Sequence, residues 1–171
     1  HLVRKRIGWL LVLFGAQSVT GNILEAYQET LAAATVLAIF IPLLIGTGGN
    51  AGTQASTLVV RAMAVGELSF RDVLRVIGRE SLVGFLLGLI MALAAFSWSQ
   101  IFGTGFSIGL AVGLAVLSIL VLASTVGATL PILARRLGFD PAVASAPLVT
   151  TVTDASGLLV YFLIARKVLG L

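Results

Sequence analysis

Five stretches of this chain are apolar over the length that a helix needs, about 20 residues, to cross the ~30 Å hydrocarbon core of a bilayer. They run from about Ile7 to Ala26, Leu31 to Met63, Leu82 to Phe102, Phe106 to Ala134 and Ala142 to Ala165. In lipid every backbone amide must be bonded inside the protein, so such stretches fold as helices. The expected fold is an all-α membrane protein with five transmembrane helices per subunit, in one domain over residues 1–171. Only 11% of residues are charged, and the net charge of +4 comes from clusters at the ends of the apolar runs. That placement sets topology and does not describe a nucleic-acid surface. The absence of Cys excludes disulfides, thiolate metal sites and cysteine catalysis. His1, the sole His, is the first residue and is given no role. Arg4-Lys5-Arg6 before an apolar run also fits a signal peptide, but the run continues through Ile23 and Leu24, so a retained helix is expected.

Three basic clusters fall on one side of a five-span chain: Arg4 to Arg6, then Arg61, Arg71, Arg75 and Arg79, then Arg135 and Arg136. That side is read as the cytoplasm, with the N-terminus inside and the C-terminus outside. Arg166 and Lys167 run against the rule. Between Ala64 and Glu80 charged and apolar residues alternate, which predicts a short amphipathic helix at the membrane interface. Gly84 and Gly88, and Gly105, Gly109 and Gly113, are spaced for close helix packing.

Two segments carry polar chemistry. The second apolar stretch contains Pro42 and then Gly46-Thr47-Gly48-Gly49-Asn50-Ala51-Gly52-Thr53-Gln54. Each Gly weakens a helix by about 1 kcal/mol relative to Ala. Pro42 removes a further backbone bond. A helix broken at these glycines is expected, its freed carbonyls facing a wet cavity and able to ligate a hard cation. A Gly-rich packing face is the alternative. The fifth stretch carries Asp154 with no other charge between Ala142 and Ala165. A carboxylate at that depth costs at least ~2.5–3.5 kcal/mol, and no basic residue at similar depth neutralises it. Asp154 is therefore protonated, in water, or holding a cation. Helical spacing puts Thr150, Thr151, Asp154, Gly157 and Tyr161 on one face. The bland reading is a protonated Asp bonded to Thr in a dry interface.

Gly46–Thr47 and Asp154 lie at the centres of their stretches, hence at one depth on antiparallel helices. The strings from Pro42 to Gly52 and Pro147 to Gly157 look alike with a one-residue gap, as in an inverted repeat. A two-fold homodimer would bring two copies of Asp154 to one axis. Two close carboxylates cannot both stay ionised without a counter-cation. Without thiolate or imidazole, oxygen ligands favour Mg²⁺, Ca²⁺ or Mn²⁺.

At the strings Pro42–Ser56 and Pro147–Gly157 the sequence resembles the MgtE family of magnesium channels and transporters, and the match covers essentially the whole chain. The resemblance implies a homodimer in the plasma membrane, with an axial pore lined by the second and fifth helices and a largely hydrated Mg²⁺ held at Asp154. Carried onto this sequence, it places Thr150, Gly46 and Asn50 with Asp154 at the ion. It implies Thr47, Gly49, Thr53, Thr151 and Gly157 along the pore. It also implies a regulatory ion at Asp140, which by itself reads as a helix-start residue beside Pro141. The family's cytosolic N-terminal and CBS domains are not in this sequence, which looks like the membrane domain by itself. Those domains and membrane lipids are the other partners implied.

Selective Mg²⁺ transport, without enzymatic chemistry, is the leading expectation. One rival is a proton- or sodium-coupled carrier of a divalent cation with Asp154 titrating. Another is an intramembrane aspartyl protease, which needs a second central Asp. A membrane anchor leaves Asp154 unexplained.

Overall fold

The computed structural model describes residues 2–68, 72–141 and 146–171. Among these residues six helices follow one another: α1 (Leu2–Ala26), α2 (Gln28–Ala33), α3 (Leu37–Ala64), α4 (Val73–Ile101), α5 (Phe106–Arg136) and α6 (Ala146–Leu169). The described residues contain no strand. Among the described residues four helices are long and apolar enough to span a bilayer: α1 from Arg6, α4, α5 and α6. At 28 residues α3 is equally long, but Thr47, Asn50, Thr53 and Gln54 at its centre set it apart from those four.

Helix α5 is the pillar. It packs against α3, α4 and α6, while α1 leans on α6. The main core joins Leu37, Phe40 and Leu44 of α3, Val116 and Ile119 of α5, and Leu158, Tyr161 and Phe162 of α6. A smaller cluster joins Val59 and Met63 of α3 to Val73 of α4 and Ile132 of α5. Small residues let these helices meet. A Cβ at Gly84 of α4 would come within 2.7 Å of the Leu120 carbonyl oxygen of α5. A Cβ at Gly127 of α5 would run into the carbonyl of Gly52 of α3. Backbones in such contact gain dispersion energy, which drives helix association where the hydrophobic effect does not.

Two expectations need correction. First, α3 is not broken at its glycines: it runs unbroken from Leu37 to Ala64, through Pro42 and all four glycines. A helix among apolar neighbours keeps its backbone bonds because no water offers replacements. The interruption lies earlier, at residues 34–36, between α2 and α3. There the amides of Leu37, Ala38 and Ile39 bond to carbonyls three residues back, at 2.9, 3.1 and 3.2 Å. Second, the charged segment ahead of the third span is not a separate interfacial helix. Residues 73–80 are the opening turns of α4, so Arg75 and Arg79 extend the span, and Arg75 pairs with Asp72 at 3.5 Å. Phe70 and Arg71 lie outside the described residues, as does the expected start of the fifth span at 142–145.

Candidate functional site: a polar seam between α3 and α6

Helices α3 and α6 touch along a line of glycines. A Cβ at Gly52 would lie 2.9 Å from Val149 Cγ1 and 3.3 Å from Thr153 Cγ2. One turn earlier, a Cβ at Gly49 would lie 3.2 Å from Thr150 Cγ2 and 3.8 Å from Asp154 Oδ1. Gly49 is therefore the point where α3 opens room for the acid. A larger residue there would crowd both Thr150 and the carboxylate.

Asp154 is partly buried, and its Oδ2 accepts a hydrogen bond from Gln17 Nε2 of α1 at 3.3 Å. The threonines around it do not bond to it. Thr150 and Thr151 both donate to the Pro147 carbonyl, at 3.0 and 2.8 Å, and Thr153 donates to Val149 at 2.9 Å. This folding-back on the same helix is the ordinary habit of Thr in an apolar setting. It leaves hydroxyl lone pairs able to accept, but it gives the acid no neutral partner of the kind the dry-interface reading needs.

Beside the Gly49 contact runs an outward strip of α3. A side chain at Gly46 would meet no atom within 4 Å, Asn50 and Thr57 are exposed, and Thr53 is half-buried. Their spacing of four, three and four residues places them on one helix face. Asn50, Thr53 and Gly46 thus adjoin the acid's contact with Gly49.

Other candidate residues lie elsewhere. Thr47 faces away, lining a groove of ≈ 280 Å³ with Leu43, Met91 and Trp98. Its hydroxyl donates to the Leu43 carbonyl at 2.6 Å. Gly157 is buried against Ile119 of α5, at 3.6 Å for a Cβ placed there, and Thr151 is buried as well. Tyr161 leaves the acid's neighbourhood to donate to the Leu37 carbonyl at 2.9 Å, a bond that ties α6 to the start of α3. Asp140 is exposed in the segment before α6, in a cavity of ≈ 370 Å³ with Val60, Met63, Arg135 and Pro141. It is not brought to Asp154.

Gln17 was not among the residues expected at the site. A depth count points to it: it lies eleven residues beyond Arg6, roughly 17 Å at 1.5 Å per residue, about half of the ~30 Å core. Among the described residues no group of three or more His, Cys, Asp or Glu could hold a metal by itself.

Fold and seam together define a multi-pass α-helical membrane protein with a polar wall built around one acid. The family model for MgtE, described as divalent cation transporter, matches residues 41–164. The chain belongs to that family, whose members are transporters. It is 43% identical over 165 residues to the magnesium transporter MgtE of Thermus thermophilus, covering 96% of this chain and 36% of that protein. It is 35% identical to the MgtE magnesium transporter of Enterococcus faecalis and 31% to that of Bacillus subtilis, each over 161 residues, 94% of this chain and 36% of the relative. The chain thus spans about a third of the length of these curated relatives.

Proposed function

We propose that this chain forms the membrane pathway of a Mg²⁺ transporter. Two copies related by a two-fold axis would face their α3 strips and Asp154 residues toward a shared pore across the plasma membrane. In this reading α3 also crosses the membrane, as the second of five spans, with α6 the fifth; the N-terminus is cytoplasmic and the C-terminus is outside. Cytosolic regulatory domains of the full-length protein would gate the pathway, with Asp140 near its cytoplasmic mouth. The observation that carries the proposal is the approach of Gly49 to Thr150 and Asp154, beside the exposed strip of Gly46, Asn50 and Thr53.

The physical case rests on that strip. Exposed amide and hydroxyl groups at the centre of a span are costly against lipid, so the face belongs against water or a second copy. Paired carboxylates across an axis attract a divalent ion and repel anions. Mg²⁺ gives up water reluctantly and wants octahedral oxygens at ~2.0–2.1 Å, which suits a wide polar chamber that contacts the hydrated ion. An inside-negative potential supplies ~2.3 kcal/mol per charge per 100 mV, twice that for Mg²⁺, so entry needs no coupled ion.

The test is Mg²⁺ influx into liposomes containing the purified chain. Asp154→Ala is expected to abolish selective flux while the protein remains folded, and Asp154→Asn to reduce it less. Full selective flux in Asp154→Ala sinks the site. Flux that vanishes without a proton or sodium gradient favours the coupled carrier instead.

A further inference from the structure

We infer that Gln17 of α1 is a positioning residue for Asp154 and sets the preference for a small hydrated cation over a larger one. The inference rests on the reading of Asp154 as the ion-facing acid and deepens it. The two carboxylate oxygens have different surroundings. Oδ2 accepts the Gln17 amide at 3.3 Å. Oδ1 is the oxygen nearest Gly49, 3.8 Å from where a Cβ would stand. A carboxylate only accepts, so it is the nitrogen end of the Gln17 side chain that faces it. The amide engages one acceptor site of Oδ2 and restrains the group from that side, with Oδ1 turned toward α3.

That geometry has a chemical consequence. Ca²⁺ takes 6–8 oxygens and readily uses both oxygens of one carboxylate, whereas Mg²⁺ holds to six ligands, mostly water. With Oδ2 already accepting from Gln17, Oδ1 is the readier contact for a hydrated Mg²⁺, and a two-oxygen grip by Ca²⁺ has to compete with the amide. Residues that hold a metal-binding carboxylate in place act in this way throughout metal sites.

A second observation makes α1 a polar wall as well as an apolar prop. Leu13, Gln17, Thr20 and Leu24 share the face turned to α6 by their spacing. Thr20 is 8% exposed, and its hydroxyl is the buried side-chain oxygen left without a protein partner among the described residues. Buried hydroxyls are almost always bonded, so Thr20, one turn from Gln17, adds a second polar group to the face of α1 turned to α6.

The experiment measures Mg²⁺ and Ca²⁺ influx in liposomes for the wild-type chain, Gln17→Met and Gln17→Leu. Met keeps nearly the length of Gln without the donor, and Leu serves as a second variant lacking the amide. Both are expected to conduct, with the Mg²⁺ concentration at half-saturation raised about ten-fold and the preference for Mg²⁺ over Ca²⁺ lowered. A purely structural role would lower the melting temperature and leave half-saturation and preference unchanged, and that result overturns the inference. A selective wild type with unaltered variants removes Gln17 alone. A wild type that passes no Mg²⁺ removes the reading of Asp154 and this inference with it.

Discussion

Gly52 and Gly127 set how close α3 can come to α5, and through that where Gly49 meets Asp154. The Gly127 α-carbon faces the Gly52 carbonyl so closely that a methyl group cannot be inserted without moving a backbone. Overpacking a dense interior costs about 1–3 kcal/mol, and a backbone neighbour leaves little room for relief. Gly127→Ala is therefore expected to lower the melting temperature clearly, whereas Gly46→Ala, which points into open space, should leave it unchanged. Equal melting of the two variants would contradict the packing described. At this scale Asp154 was legible from sequence because a lone charge in an apolar run has few explanations. Asn50 and Thr53 stood out as polar side chains within an apolar run. Thr47 and Gly157 were not correctly aimed, because a linear string does not say which of two neighbouring faces turns to α6 and which to α4 or α5. Gln17 escaped notice because an uncharged amide stands out less than a carboxylate.

Helix α3 shows why propensity misleads inside a membrane. The ~1 kcal/mol cost of Gly reflects lost backbone freedom and exposure to water. Between α5 and α6 there is little water, and the same missing side chain becomes the means of contact. Gly48, Gly49 and Gly52 therefore mark packing while Gly46 lies on the open strip, and the true interruption at residues 34–36 carries no glycine at all. Tyr161 supports that junction from α6. Tyr161→Phe removes the donor to the Leu37 carbonyl and should cost about 0.5–1.5 kcal/mol, with helix content retained. Reversible unfolding in mixed micelles measures this, and an unchanged unfolding midpoint would mean the bond carries no weight. The merging of residues 73–80 into α4 has a similar cause: Val73 is buried against Val59, Met63 and Ile132, which continues the helix past the point where hydropathy alone would start it.

For the whole molecule, the order of apolar runs and their helical character followed directly from length and composition. The assembly is a matter of surfaces. Helix α1 rests mainly on α6, and most of its span is open to its surroundings. The strip through Gly46, Asn50 and Thr53 is open as well, yet polar. Apolar exposure suits lipid; polar exposure at mid-span suits a partner strip and water. The proposed two-fold dimer meets both conditions, and it would turn a single acid into a facing pair. The direct test is a structure of the chain in lipid nanodiscs with Mn²⁺, an oxygen-loving dication whose position anomalous scattering reveals. The account predicts one peak on the two-fold axis, level with Asp154 and flanked by the α3 strips of both copies. A dimer with Asp154 facing lipid, or with a dry contact where the peak should lie, would contradict it.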